Sequence, residues 1–241
     1  MVILLALDTC DASGSVALLR NQRILNVVVH ETAEDYSSWL LPAVERVLKA
    51  AGLTMENVDA YCVASGPGSF TGLRVGLTTV KAWSEVYGRP IAAVSRLEAL
   101  ASQAEEGSKR IAVLVDAHRE QVFGALYRRN GGRLERVEDE MVVAPGKFVD
   151  WVVERSGVER VAWVSPDAER VTGQENWRER EKAGEKMQIV SPVLAPMIGK
   201  IGYQKLLENR TADALTLDAN YVRRSDAELH WKGGSRHGRR K

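Results

Sequence analysis

Apolar and polar residues over the first thirty positions fall in blocks that predict three consecutive strands. Residues 2–7 form an unbroken apolar run, a polar turn over 8–14 ends it, and 16–19 resumes it; another run over 23–30 follows the turn at Arg20, Asn21 and Gln22. Three antiparallel strands at the start exclude a simple doubly wound sheet, in which strands and helices alternate from the first. A helix is expected over 36–51, capped by Asp35. Leu40, Ala43, Val44, Val47, Leu48 and Ala51 recur there at helical spacing, Gly52 supplies the stop, and Pro42 removes one backbone bond. A buried strand over 58–65, a helix over 72–87, a strand over 91–94 and a helix over 97–106 follow.

The pattern restarts after Gly107. An apolar strand over 111–115 ends in Asp116, a second over 122–127 returns from the turn, and a third over 133–143 follows Asn130, Gly131 and Gly132. Then come a helix over 148–156, a strand over 158–164, a charged surface stretch over 175–186, a short strand over 187–190 and a last helix over 194–209. Two copies of a three-strand-plus-helix unit, each opening on a strand that ends in aspartate, make a weak internal repeat. The expected division is a first subdomain over 1–106, a second over 107–222 whose last helix can pack back on the first, and a basic, disordered tail over 223–241.

Composition agrees with a folded chain: of 241 residues 45% are hydrophobic and 27% charged, unlike a chain too polar to order itself. No run approaches the roughly 18 apolar residues of a membrane span. The start carries neither the basic region nor the cleavage site of a signal peptide, so a cytoplasmic location without membrane contact is expected. Cys10 and Cys62 lie in apolar strand-like runs and are read as small core residues. The net charge of +1 hides five cations in the last eleven residues, which hold no acid, so the remainder carries −4. Attraction to RNA therefore falls to that tail or to local patches.

A strand that ends in aspartate and turns through small hydroxyl residues sets a carboxylate and backbone N–H groups where a nucleotide's phosphates or their metal can sit. Asp8 with Thr9, Ser13 and Ser15 forms one such turn and Asp116 the other. Two such hairpins facing each other grip ATP in actin-like and sugar-kinase ATPases; a single aspartate at a strand end is also an ordinary turn residue. The strongest local feature is the loop Ser65, Gly66, Pro67, Gly68, Ser69, Phe70 and Thr71, leading from a strand into a helix. It can hold an anion at the helix N-terminus but lacks the spacing and terminal Lys-Ser/Thr pair of a P-loop. On a wheel of about 100° per residue, Arg74, Lys81 and Glu85 share a narrow seam. Leu73, Leu77, Val80 and Tyr87 fall on one side of it, and Val75, Ala82, Trp83 and Val86 on the other. A helix apolar on two sides is covered on both, by its own sheet and by another helix or a partner. Gly72 and Gly76, four apart, let another backbone come close.

Leu7-Asp-Thr-Cys10 with Ser15-Val-Ala-Leu18, Leu40-Leu-Pro42, the stretch over 65–76 and Tyr221-Val-Arg-Arg-Ser-Asp-Ala-Glu228 together resemble the TsaB (YeaZ) family. That family is the bacterial partner of TsaD in making N6-threonylcarbamoyladenosine at position 37 of tRNAs that read ANN codons. The resemblance covers most of the chain, and its Gly-Pro-Gly-Ser-Phe-Thr-Gly-Leu-Arg run, ending at Arg74, is specific to the family and to TsaD. It implies an α/β, actin-like ATPase (ASKHA) fold of two ribonuclease-H-like subdomains. It also implies a division of labour, in which TsaD transfers the threonylcarbamoyl group from an adenylate to adenosine N6 with a metal held by a histidine pair, and TsaB serves as its dimerisation partner. His30, His118, His230 and His237 include no such pair on a helix, so neither a catalytic residue nor a metal site is expected.

The implied partners are TsaD in a heterodimer, the ATPase TsaE, and tRNA indirectly through the complex, with a homodimer formed through the same helices. Those helices are 36–51 and 72–87, with Trp39, Leu40, Ala43, Val47, Gly72, Leu73, Gly76, Leu77 and Val80 at the interface. No cofactor of its own is implied, ATP or ADP being held at the interface of the complex. Three departures bear on that cofactor: Tyr36 stands where the family has histidine, the turn over 116–121 lacks the glycines of a second phosphate turn, and Ser165, Pro166 and Asp167 replace a glycine-rich adenosine turn. They weigh against ATP binding by the chain alone. They also weigh against the alternative, an ATP-dependent kinase or carbamoyl-type transferase working through Asp8 and Asp116. A metallopeptidase would lack its metal ligands.

Overall fold

The computed structural model describes residues 1–31 and 34–222; the tail expected over 223–241 lies outside them. β1 (Ile3–Asp8), β2 (Ser15–Arg20) and β3 (Arg23–Val29) pair antiparallel, and β4 (Ala60–Ala64) and β5 (Ile91–Val94) extend the sheet in parallel, in the order β3-β2-β1-β4-β5. Every residue of β1 and β4 is buried, as central strands covered on both faces require.

The second sheet follows the same path. β6 (Arg110–Asp116), β7 (Val122–Asn130) and β8 (Arg133–Arg136) are antiparallel, β9 (Met141–Val143) also pairs with β7, and β10 (Val161–Ser165) and β11 (Met187–Ile189) run parallel beyond β6. Its order, β11-β10-β6-β7-β8, is the first sheet's order with each strand replaced by its counterpart, so the repeat legible in the sequence is a repeat of topology. The single strand expected over 133–143 is instead two, β8 and β9. The break turns Glu140 inward, where its buried carboxylate accepts hydrogen bonds from Ser95 Oγ and Asn220 Nδ2 and ties the two halves together.

α1 (Tyr36–Ala50) packs on β2 and β3, and α2 (Phe70–Tyr87) on β4. Asp35 holds the N-cap position of α1 without the expected side-chain bond, whereas Ser69 Oγ accepts from Gly72 N–H at 3.3 Å and starts α2 two residues early. α3 (Arg96–Ala101), capped by Ser95, stops short of the expected 97–106. In the second half α4 (Pro145–Ser156) lies on β7, with α5 (Glu169–Thr172) and α6 (Glu175–Lys182) against it. The stretch expected to be merely charged surface is thus partly helical, and it is anchored. Trp177 is buried edge-on to Trp163 at 5.2 Å, and the buried Glu185 accepts from Trp163 Nε1 and from Arg180. Those bonds hold the Glu185 carboxyl below the usual range even though burial alone pushes it up.

α7 (Ala195–Leu207) crosses back onto β1, β2, β4 and β5. Its Gly202 lies against the Cys62 side chain while Gly76 of α2 lies against that of Val63; neighbouring strand residues point to opposite faces, so α2 and α7 sandwich the first sheet. Among the described residues no helix is long and apolar enough to cross a membrane.

Candidate functional site

β1 and β6 end on the same side of the molecule, where the turns after them, the loop before α2 and the segment Asn220, Tyr221 and Val222 enclose a cleft of about 650 Å³. The loop over 65–69 is wedged between its neighbours: Ser65 N–H donates to Val94 O at 2.9 Å, Asn220 N–H to Ser65 O at 2.8 Å, and Ser69 N–H to Cys10 O at 2.7 Å. Gly66 has φ +106°, and a Cβ there would stand 2.9 Å from the Asn220 carbonyl oxygen, so both its conformation and its space call for glycine. At Gly68 and Gly72 a Cβ would fall far inside contact with the Cys10 and Thr9 carbonyl oxygens respectively. Pro67, Phe70 and Thr71 complete the passage into α2, Thr71 exposed and Phe70 at the cleft mouth.

Three residues of the first nucleotide-type turn, Asp8, Thr9 and Ser15, are in structural use. Asp8 is fully buried and accepts from Cys10 N–H at 2.9 Å, and its Oδ2 lies 3.4 Å from Arg96 Nε. Thr9 Oγ1 donates to Gly72 O at 2.7 Å, and Ser15 Oγ accepts from Ala195 N–H at 3.1 Å at the start of α7. Ser13 is half-buried on the turn itself. Tyr36 clamps that turn by accepting from Gly14 N–H at 2.9 Å and donating to Asp11 O; burial pushes its hydroxyl up to about 12.

Arg96, absent from the sequence reading, is the centre of the floor. It is 1% exposed, Nη2 donates to Asp11 Oδ2 at 2.9 Å, and Nη1 donates to Pro67 O at 3.2 Å. Burial disfavours its charge, but the Asp8 and Asp11 carboxylates outweigh burial and hold the guanidinium above the ordinary arginine value. The second turn is built alike: Asp116 Oδ2 takes Arg170 Nη2 at 2.6 Å, its Oδ1 accepts from His118 N–H at 2.9 Å, and its own N–H donates to Asp167 Oδ2 at 3.0 Å. His118, Arg119 and Glu120 all have positive φ, a succession that favours glycine, and His118 and Arg119 line the cleft. A magnesium nucleotide requires carboxylates free to hold the ion's ordered waters. Here Asp116 is bonded to Arg170, and Asp8 faces Arg96 at 3.4 Å with neither Asp8 Oδ2 nor Arg96 Nε in a hydrogen bond, so both carboxylates already face a cation of the chain itself and fit that group poorly.

Neither cysteine is a nucleophile in waiting. Burial, with the Asp8 carboxylate adding to it, raises the Cys10 thiol well above its ordinary value, and burial pushes Cys62 up to about 12. Cys10 lies in the turn after β1 and not in a strand. Among the described residues no three His, Cys, Asp or Glu side chains meet as metal ligands, and His118 is largely exposed beside Asp116.

The nine residues expected at a partner interface require correction. Trp39, Leu40, Ala43, Val47, Gly72, Leu73, Gly76, Leu77 and Val80 are all buried within the chain itself, forming the inner faces of α1 and α2 on their own sheet. What these helices leave open is the opposite face. Leu41 is 57% exposed and Val86 74%, Thr78 and Ala82 are exposed, and Val75, Thr79 and Trp83 are half-buried, with a groove of about 570 Å³ between the helices. Of the two apolar sides of the wheel, that of Leu73, Leu77 and Val80 meets the sheet and that of Val75, Ala82 and Val86 is the more open.

A sequence model described as TsaD, tRNA N6-adenosine threonylcarbamoyltransferase, matches residues 22–188. The tRNA threonylcarbamoyladenosine biosynthesis protein TsaB of Bacillus subtilis is 33% identical over 62% of this chain, the match spanning just under two thirds (64%) of that protein. The Escherichia coli protein of the same name is 27% identical over 95% of this chain and 96% of its own length. Among solved structures, YeaZ from Pseudomonas aeruginosa superimposes with a TM-score of 0.69 at 27% identity, covering 92% of this chain and 100% of that one. The ROK hexokinase of Thermus thermophilus, at 15% identity and a TM-score of 0.52 over 85% of this chain and 100% of its own, shows the shared actin-like fold alone.

Proposed function

The chain belongs to the tRNA N6-adenosine threonylcarbamoyltransferase (TsaD) family, on its TsaB (YeaZ) side, and from that premise we propose that it is a non-catalytic assembly subunit of the complex that forms N6-threonylcarbamoyladenosine in tRNA. In this reading it pairs with a TsaD-type catalytic subunit through the outward face of α1 and α2, works alongside the ATPase TsaE, and meets tRNA only through the complex, in the cytoplasm. A homodimer through the same face is its state without the partner. ATP or ADP belongs to the assembled interface and not to this chain alone.

The observation that carries the reading is the pairing of both strand-end carboxylates with the chain's own arginines, Asp8 with Arg96 and Asp116 with Arg170. In an actin-like ATPase those two positions do the work of holding the phosphates' metal; here each faces an arginine of the same chain, buried at Arg96 and partly exposed at Arg170. The unpartnered apolar face of α1 and α2 supports assembly as the remaining function.

The test is calorimetric titration of the isolated chain with magnesium ATP, together with a phosphate-release assay. No saturable binding below about 1 mM is expected, equivalent to less than about 4 kcal/mol, and no turnover above background. Micromolar affinity with hydrolysis that disappears in Asp8→Asn would establish the kinase or transferase alternative instead.

A further inference from the structure

The groove between α1 and α2 and the cleft between the sheets are separate hollows that share a wall. Tyr36 lines both. Arg74 lines the groove, Phe70 and Tyr221 line the cleft, and the three side chains are stacked into a single ridge between them. The Phe70 and Tyr221 rings lie 5.1 Å apart at 38°, Arg74 Cζ sits 3.8 Å over the Phe70 ring, and Arg74 Nε donates to Tyr221 Oη at 3.5 Å. All three are open to solvent, Phe70 at 36% and Tyr221 at 44%. Among the described residues Arg74 has no acidic partner, unlike Arg96 and Arg170.

We propose that the partner's contact surface does not end at the two helices but continues over this ridge to the mouth of the cleft, where Arg74, held by Phe70 and Tyr221, receives a carboxylate of the partner. The inference rests on the assembly reading above and deepens it. Three features favour a protein partner. The ridge is continuous with the apolar helix face through Arg74, Val75 and Tyr36. Its composition, two aromatic rings and an arginine, is that of an interface hot spot. Its charged group is fixed before binding, because the planar guanidinium is already stacked and hydrogen-bonded, so little side-chain freedom is lost when a carboxylate arrives. The same stack is also a surface on which an unpaired nucleobase can lie. The body's net charge of −4 outside the last eleven residues gives RNA little general attraction, which leaves the protein occupant favoured.

The experiment measures the affinity of the full chain for the purified TsaD-type subunit of the same organism by titration, with thermal melts of each variant. Arg74→Glu is expected to weaken binding about 100-fold or more and Tyr221→Ala about 10-fold, both with unchanged melting temperature. Affinities within about threefold of wild type for both, with Ala82→Glu on the helix face still abolishing association, would overturn the ridge and leave the helix interface standing. Failure of the wild-type chain to associate at all would overturn the assembly reading, and the ridge with it. Unchanged partner affinity with weakened binding of unmodified tRNA by the complex would make the ridge a nucleobase platform, and so overturn it as a partner contact.

Discussion

Gly76→Arg is expected to abolish the cooperative fold, not merely to remove a partner. A Cβ at this position stands 2.5 Å from Thr9 Oγ1 and 3.6 Å from Val63 Cγ2, and the Thr9 hydroxyl is already engaged with the Gly72 carbonyl one turn earlier. Overpacking costs about 1–3 kcal/mol, and an arginine head buried there without a counter-ion costs several more, roughly 3–5 kcal/mol by analogy with a broken buried pair. Against a total stability of about 5–15 kcal/mol, these costs together take about half of it or more. Circular dichroism melts should show no cooperative transition near that of wild type. A variant that melts within a few degrees of wild type would mean that this side of α2 does not press on the sheet.

Ala82→Glu, on the other side of the same helix, is expected to act in the opposite way. Ala82 is exposed, glutamate is a good helix former, and a surface change of this kind alters stability by about 0.5 kcal/mol or less. Its neighbours Val75, Thr79, Trp83 and Val86 form the open apolar face, so a carboxylate placed among them is desolvated without a partner once another subunit closes over it. The cost of about 3 kcal/mol or more corresponds to at least about 100-fold in association. Size-exclusion chromatography with light scattering should find the variant folded but unassembled with the TsaD-type subunit. Normal assembly would place the interface elsewhere.

The contrast between these two substitutions shows what the sequence could carry. Strand positions and the strand-strand-strand-helix repeat were legible because apolar runs and aspartate-ended turns are local patterns, whereas the strand order of each sheet rests on pairings between distant segments. The orientation of α2 was not legible. A wheel assigns Leu73 and Val75 to different sides but does not say which side meets β4, and two glycines read as an invitation to a partner are in fact where the turn at Thr9 presses on the helix. Arg96 escaped notice for a related reason: its partners Asp8 and Asp11 are distant in sequence. One signal was available, because helical spacing puts Arg96 on the same stripe as Ala99 and Leu100, and a cation on a buried stripe calls for a carboxylate. Arg170 lies on a four-residue helix too short to have a period. The loop over 65–71 was recognisable by composition, but its role as a wedge between the Thr9 turn and Asn220 depends on contacts with both ends of the chain.

On the proposed reading, the strand-end carboxylates of this chain are structural while its contribution to tRNA modification is assembly. The most direct measurement is the rate of threonylcarbamoyladenosine formation on unmodified tRNA by a complex reconstituted with Asp116→Asn in this chain and an otherwise wild-type partner set. The amide keeps the oxygen that accepts from His118 N–H while removing the charge facing Arg170. A rate within about twofold of wild type is the expected result, since a group outside the chemistry contributes nothing to the transition state. A fall of about 100-fold or more with the complex still assembled, the size of effect that losing an acid or base produces, would contradict the account and make this subunit a participant in the reaction.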